Sequence, residues 1–320
     1  MPTPRTARLL VVLAFVVVGA VGVQLRWGIQ APEPQTLRIG IGPWIGYEPF
    51  VAERELGQWP ERVALVELES NTETLDAFIE GRIDVAGLTL DETLRLARRG
   101  IDHRVIAVLS DSRGGDAVLG RPGLAGLGAL AGRPVLVEDT AVGTLMLAAA
   151  LDEVGLSLAD VQVERTQATR IDLAWSKGFA DAVVAYSPVI EQLQAQGAVE
   201  LFSTRDHPGL VLDVLVVRPE ALQQPETITA MIEAWDRGLA RLALRRPQDA
   251  ALLAPGLGLS AAEYTAALDK VELIPAARSR AMFEGRPSPF EASLIRIEAA
   301  WPPGAGERAA RPLLAPEGRP

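Results

Sequence analysis

The chain has 320 residues, enough for two ordinary lobes, and its hydrophobic content of 48% is typical of a globular protein. A formal net charge of −10 argues against nucleic-acid binding, which requires a basic surface. The chain has no cysteine, and His103 and His207 are its 2 histidines. This composition excludes disulfides, thiolate metal sites and cysteine nucleophiles, so we expect no cofactor and no metal.

The N-terminus predicts a targeting segment. Arg5 and Arg8 precede an apolar run over 9–23, which is long enough for a signal-peptide core but shorter than the roughly 20 residues that span a bilayer. Arg26 and Trp27 follow the run and would suit a membrane interface. Two alternatives therefore stay open: residues 1–30 are a cleaved signal peptide, or they are retained as an anchor through 9–25. Either alternative means export.

After a proline-containing linker at 31–36, strand-like apolar runs alternate with helices. The first run, Leu37–Ile41, ends at a Gly-Pro pair, and a helix opens soon afterwards. Repeated strand–helix units predict an α/β fold with a mostly parallel, doubly wound sheet. Further strand-like runs lie at Val63–Leu68, Val85–Leu88, Val105–Leu109, Ala117–Leu119, Val135–Val137, Val161–Val163, Ala182–Ala185 and Leu210–Val217.

The turn after the first strand is a candidate binding site, because open α/β sheets form ligand crevices at the carboxyl ends of their strands. The rings of Trp44 and Tyr47 would stack on a planar or cationic ligand. Alternatively, Trp44 packs over the sheet. Glu48 either complements the dipole of the following helix or contacts the ligand.

The other candidates also follow strands. At the third strand, Thr89 is a candidate contact, whereas Asp91 and Glu92 are expected to cap the next helix. The stretch 110–116 reads as a hinge, in which polar side chains either stabilise a turn or grip the solute. The backbone at 138–144 would suit an anion, but the acids there would repel one. The candidates of these later strands are Asp111, Ser112, Asp116, Glu138, Thr140, Gly143, Thr144, Tyr186 and Asp213, the last of which faces the cleft or holds the hinge.

Several blocks of the sequence resemble, in order, those of periplasmic solute-binding proteins of ABC importers, in the nitrate/sulfonate/taurine and thiamine-pyrimidine group. The resemblance spans most of the exported chain. It rests on LRIGIGPWIGYEPFVAEREL at 37–56, GRIDVAGLTLDE at 81–92, LSDSRGGDAVLG at 109–120, LAGRPVLVEDTAVGTLML at 130–147 and KGFADAVVAYSPV at 177–189.

This resemblance implies a two-lobed periplasmic-binding-protein fold of type II, with the ligand cleft between the lobes. Lobe I would comprise 37–113 and 212–302, and lobe II would comprise 117–208. A flexible tail would follow at 303–320. The resemblance also implies a monomer that hands a small organic solute to an ABC permease in the periplasm, with no catalytic residue.

The candidate cleft positions carry more acids than bases, and a buried anion needs paired donors. This balance favours a neutral or cationic solute over an oxyanion. Two other functions stay open: an enzyme on the same fold, acting in pyrimidine or quinone-precursor metabolism, and a membrane-tethered solute sensor.

Overall fold

A computed structural model describes residues 36–138, 141–167, 170–300 and 313–314. The predicted signal peptide or anchor and most of the predicted tail lie outside these residues, as does Thr140. Within the described ranges, no helix has both the length and the apolar content needed to cross a membrane.

The described chain alternates strands and helices, which confirms the predicted α/β class. The strands are β1 (Leu37–Ile41), β2 (Val63–Glu67), β3 (Val85–Thr89), β4 (Arg104–Ser112), β5 (Asp116–Gly120), β6 (Pro134–Glu138), β7 (Gln162–Thr166), β8 (Ala182–Tyr186), β9 (Val199–Ser203), β10 (Leu212–Val217), β11 (Val271–Leu273) and β12 (Leu313–Leu314). The α-helices are α1 (Glu48–Leu56), α2 (Asn71–Ile79), α3 (Leu90–Arg98), α4 (Ala141–Asp152), α5 (Ile171–Ser176), α6 (Val189–Ala195), α7 (Pro225–Ala243), α8 (Pro247–Leu253), α9 (Ala261–Leu268), α10 (Ala276–Met282) and α11 (Pro289–Ala300).

The strands form two separate sheets. The first has the order β11-β4-β10-β3-β1-β2, with β12 beside β4, and the second has the order β7-β6-β8-β5-β9. We call the first sheet with its helices lobe I and the second sheet with its helices lobe II. The exact residue boundaries between the lobes stay a prediction.

Both sheets are mixed, a detail that the alternation of strands and helices did not reveal. In lobe I, β1 pairs in parallel with β2 and β3, whereas β10 runs antiparallel to both β3 and β4. In lobe II, β6 is parallel to β7 and β8, whereas β5 is antiparallel to β8 and β9. Among the described strands, β5, β10 and β11 run against the other strands of their sheets, and β5 and β10 each follow a passage from one sheet to the other.

The two passages between the sheets are bonded to each other. Strand β4 continues through Ser112, so the first passage is shorter than the predicted hinge at 110–116. The Ser112 hydroxyl lies 2.8 Å from that of Thr204 in the second passage, and the Gly114 N–H donates to Thr204 Oγ1 over 2.9 Å. These hydrogen bonds tie the two connections into one unit.

The lobes share part of their hydrophobic core. One cluster of buried side chains includes Leu94 on α3, Met146 on α4 and Leu294 on α11. Helix α4 belongs to lobe II and packs against α3 and α11 of lobe I. Because burying one such side chain contributes roughly 1.5–3 kcal/mol, this shared core holds the lobes together on the side of α4.

Candidate ligand-binding site

The mixed topology brings several strand ends to one place. In β10, Asp213 lies opposite Thr89 at the carboxyl end of β3 and opposite Ser110 on β4. In lobe II, Asp116 at the start of β5 pairs with Tyr186 at the carboxyl end of β8. Strand termini of both sheets therefore present polar side chains to the space between the lobes.

Asp213 is the centre of the lobe I side of this space. Its carboxylate accepts hydrogen bonds from the Trp44 indole over 2.7 Å, from the Tyr47 hydroxyl over 3.2 Å and from the Ser110 hydroxyl. Burial raises the pKa of Asp213 to about 6, and these three donors oppose the rise. Asp213 thus holds both aromatic side chains of the turn after β1.

The close fit of Trp44 also depends on Gly46. A Cβ atom at this position would lie 2.2 Å from the Trp44 Nε1 atom, closer than any real contact. The backbone at Gly46 can therefore pass directly beside the Trp44 indole, and the indole N–H stays free to donate to Asp213. This close approach explains the glycine in the turn.

An aromatic contact crosses the space between the lobes. The Trp44 and Tyr186 rings are 6.1 Å apart, centroid to centroid, at an interplanar angle of 83°. This is the edge-to-face arrangement that aromatic pairs favour. Both residues were predicted from the sequence as ligand contacts, and the structure places them together in a closed arrangement of the lobes.

Buried carboxylates surround this aromatic pair. Asp91, Glu92 and Asp213 come from lobe I, and Asp116 and Glu138 come from lobe II. We call these five residues the acid cluster. Burial is the largest cause of a raised pKa at four of them: to about 6 for Asp91 and Asp213, about 7 for Asp116 and about 8 for Glu92.

The charges of the acid cluster act on one another. Asp91 and Asp213 raise the pKa of Glu92, and Asp213, Asp91 and Glu138 raise that of Asp116. After burial, the nearby charges of Glu138, Asp116 and Glu92 raise the pKa of Tyr186. Such a concentration of buried acids is typical of a functional site rather than of a stabilising network.

Two acids of the cluster have buried oxygens without a hydrogen-bond partner among the described residues. These are both carboxylate oxygens of Asp91 and Oδ2 of Asp116. The hydroxyl oxygen of Thr89 is likewise buried without a hydrogen-bond partner among these residues. Leaving a buried acceptor unsatisfied costs about 1–3 kcal/mol, and more for a charged group. These atoms are therefore the ones best placed to accept donors from a solute.

Glu48 and Asp111, both predicted contacts, are not brought into the acid cluster. Glu48 accepts a hydrogen bond of 2.7 Å from Tyr264, and its electrostatic neighbours are Glu67 and Arg54. Asp111 accepts the Gly209 N–H over 2.9 Å and pairs with Arg113 at 2.9 Å. Their side chains therefore serve helix packing and the hinge.

The remaining predicted residues lie at the margin of the site. The hydroxyl of Ser112 is engaged with Thr204, although it also lowers the pKa of Asp116, against burial. Near the start of α4, Thr144 accepts long hydrogen bonds of 3.4 Å from Arg165, and Gly143 lies beside it. Thr140 is outside the described residues.

The sequence interpretation missed two contributors. It treated Asp91 and Glu92 alike as caps, yet only Glu92 makes the capping bond, 2.9 Å from the Thr89 N–H. Asp91 lies one residue earlier, and its carboxylate oxygens are buried without a hydrogen-bond partner in the described part of the chain. It also missed Lys270, whose Nζ atom is 2.5 Å from Glu191 Oε1 on α6 and links lobe I to lobe II. The spacing T-x-D-E at a strand end was the available signal for Asp91.

A model of the NMT1-like family matches residues 30–255, well over half of the chain. The protein belongs to the NMT1-like family. No curated protein matches the sequence significantly.

Solved structures share the fold of this NMT1-like protein. The alkanesulfonate-binding protein SsuA from Xanthomonas axonopodis pv. citri, bound to MOPS, is 18% identical, with a TM-score of 0.67 over 85% of this chain and 96% of that one. SsuA from Escherichia coli is 19% identical, with a TM-score of 0.63 over 84% and 100%. A zinc-bound ligand-binding component of an ABC-type import system from Staphylococcus aureus is 14% identical, with a TM-score of 0.66 over 83% and 90%. At these identities the likeness shows the fold alone.

Proposed function

We propose that this NMT1-like protein is the exported substrate-binding component of an ABC importer. It captures a small organic solute between lobes I and II, acts as a monomer without catalysis, and delivers the solute to a permease. The observation that carries this proposal is the interlobe site, where the Trp44–Tyr186 pair adjoins buried acceptors supplied by both sheets. Hinge closure around a solute is the usual action of such a two-lobed fold.

The chemistry of the site supports a neutral or cationic solute rather than an oxyanion. SsuA proteins bind sulfonates according to their names, but the acid cluster would repel a sulfonate here. A desolvated anion needs positive or N–H partners. Lys270, a basic side chain near the site, is already paired with Glu191 and so does not serve as the partner of an anion.

Native mass spectrometry of gently purified full-length protein tests the proposal. We expect a co-purified small molecule that is released on unfolding and that raises the melting temperature when it is added back. A wild-type protein that carries no small molecule, and whose melting temperature is unchanged by amines, aminopyrimidines and sulfonates, would contradict a solute-binding function.

Sequencing the N-terminus of the mature protein tests the export step. A start within about the first 30 residues past the initiator indicates a cleaved signal peptide. An intact N-terminus in the membrane fraction indicates the retained anchor. A cytoplasmic full-length protein would contradict export.

A further inference from the structure

Asp91 and Asp116 approach the interlobe space from opposite lobes. Asp91 is the second residue of α3 in lobe I and is 1% exposed, whereas Asp116 is the first residue of β5 in lobe II and is 6% exposed. Thr89, two residues before Asp91, lies opposite Asp213, and Asp116 lies opposite Tyr186, whose ring contacts that of Trp44, so both aspartates border the same interlobe space. Three of their four oxygens are buried without a hydrogen-bond partner among the described residues.

The neighbouring carboxylates already have partners. Glu92 accepts the Thr89 N–H, and Asp213 accepts bonds from Trp44, Tyr47 and Ser110. Three unpartnered carboxylate oxygens, buried next to acids that are already engaged, cost several kcal/mol unless a proton or a cation neutralises them. The free acceptors are therefore concentrated in one pair.

We propose that Asp91 and Asp116 form a recognition pair for a cationic N–H donor group of the solute, namely an ammonium, amidinium or guanidinium group. This inference rests on the proposed function and names the solute class for the same site. The cation would donate N–H hydrogen bonds to one carboxylate from each lobe and so bridge the lobes in the closed state.

The surroundings of the pair favour an organic cation. Among the described residues, no three His, Cys, Asp or Glu side chains are spaced to hold a metal ion. Three free acceptor oxygens match a group with several N–H donors, because such a group can form charge-assisted hydrogen bonds to both carboxylates at once. The aromatic edge-to-face pair of Trp44 and Tyr186 adds a surface that attracts cations.

The proposal couples closure to protonation. In the closed state, burial raises the pKa of Asp91 to about 6 and that of Asp116 to about 7, against an ordinary value of about 3.9 in the open state. Closure without a solute is therefore favoured at low pH and is lost as the pH rises through 6 to 7. Charge repulsion strengthens this effect and comes from Asp213, Glu92 and Glu138. Arg95 weakens it, as do the hydroxyls of Thr89 and Ser112. Tyr47 and Tyr186 remain neutral throughout, because burial raises their pKa.

Distance measurements between spin labels test the proposal on the full chain. Because the chain has no cysteine, Glu61→Cys on lobe I and Lys177→Cys on lobe II, both exposed, provide unique attachment sites. We expect the ligand-free protein to show a short label distance at pH 5 and one that is longer by several ångströms at pH 9. Methylguanidinium chloride at pH 9 should restore the short distance, whereas its neutral analogue methylurea should not.

The isosteric double variant Asp91→Asn/Asp116→Asn is the matched comparison. It should keep the short distance at both pH values and should not respond to methylguanidinium. A wild-type distance that is independent of pH, a double variant that opens like the wild type, or a wild type that methylguanidinium fails to close would each overturn the proposal.

Native mass spectrometry separates this inference from the proposed function. A double variant that retains the co-purified solute as well as the wild type does would overturn the recognition pair and leave the receptor function intact. A wild type that binds no small solute contradicts the receptor function itself, whatever the aspartate variants do. We expect the double variant to lose the solute at least tenfold more readily.

Discussion

The indole N–H of Trp44 donates to Asp213 over 2.7 Å, although 169 residues separate the two in the chain. Asp213 sits on β10 between β3 and β4, so this bond ties the turn after the first strand to the centre of the sheet. Trp44 is therefore both a buried residue and one wall of the interlobe space. Its two sequence-based interpretations, ligand contact and packing over the sheet, are compatible.

Replacing Trp44 with Phe should separate these two roles. Trp44→Phe keeps an aromatic ring but leaves Asp213 without one donor, so we expect the free energy of unfolding to fall by about 1–3 kcal/mol. Solute binding should weaken as well. Trp59→Phe is the control, because its indole donates to the Val63 carbonyl over 2.6 Å outside the site. Urea unfolding and solute titration of both variants check this, and equal losses of affinity would contradict a site role for Trp44.

The ion pair between Lys270 and Glu191 should favour the closed state. Lys270→Met removes a partly buried pair of 2.5 Å that joins the lobes, so we expect a loss of about 1 kcal/mol in closure, or roughly a fivefold weaker solute affinity. Lys177→Met is the matched control, since Lys177 is the other lysine of the chain and is exposed. Calorimetric titration measures both, and an unchanged affinity in Lys270→Met would show that the pair does not assist closure.

Glu48 should make stability depend on pH in a predictable direction. Burial raises the pKa of Glu48 to about 7 from 4.5, while the Tyr264 hydroxyl opposes the rise. The folded state therefore binds this proton more tightly, and its contribution to stability is lost as the pH rises from about 4.5 to 7. We expect Glu48→Gln to match the wild type at pH 4.5 and to exceed its free energy of unfolding at pH 8.5 by up to about 3 kcal/mol.

Glu53→Gln is the control for this prediction, because Glu53 is also buried on α1 but pairs with Arg237 at 2.6 Å. Glu53→Gln should lower the free energy of unfolding at pH 8.5, whereas Glu48→Gln should raise it. Urea unfolding at the two pH values decides the matter. A Glu48→Gln variant that is less stable than the wild type at pH 8.5 would mean that the carboxylate form is the stabilising one.

Gly115, in the hinge, should not tolerate a larger side chain. A Cβ atom there would lie 2.5 Å from Trp44 Cη2 and 3.3 Å from the Lys270 carbonyl oxygen, so Gly115→Ala must displace the indole. We expect a loss of about 1–3 kcal/mol in stability and weaker solute binding. Gly128→Ala meets nothing within 4 Å and should leave both unchanged. Thermal unfolding and solute titration check the pair, and equal behaviour would contradict the close packing of Trp44 on Gly115.

Local sequence signals were sufficient for β1–β8 and for β10, whereas β9, β11 and β12 were not predicted. The β-branched runs predicted these strands, and Glu92, expected as a cap, accepts the Thr89 N–H at the start of α3. Trp44, Tyr47 and Tyr186 were predicted because aromatic residues follow strand ends, where sheets form crevices, and Asp116 and Asp213 because they lie at the two crossings between the lobes. The role of these residues as ligand contacts stays a prediction. These features depend on residues that are close together in the chain.

The tertiary structure decided which of the candidates share a space. The sequence could not show that β10 is inserted between β3 and β4, and this insertion brings Asp213 to Trp44. Glu48 and Asp91 both lie in the first turn of a helix, yet Glu48 accepts a hydrogen bond from Tyr264, whereas the Asp91 oxygens are buried in the acid cluster with no hydrogen-bond partner among the described residues. The direction of a side chain is set by what packs around it, and those partners lie more than a hundred residues away for Glu48. The sequence alone determined most of the elements and the family, and packing alone determined which of the acids are buried between the lobes.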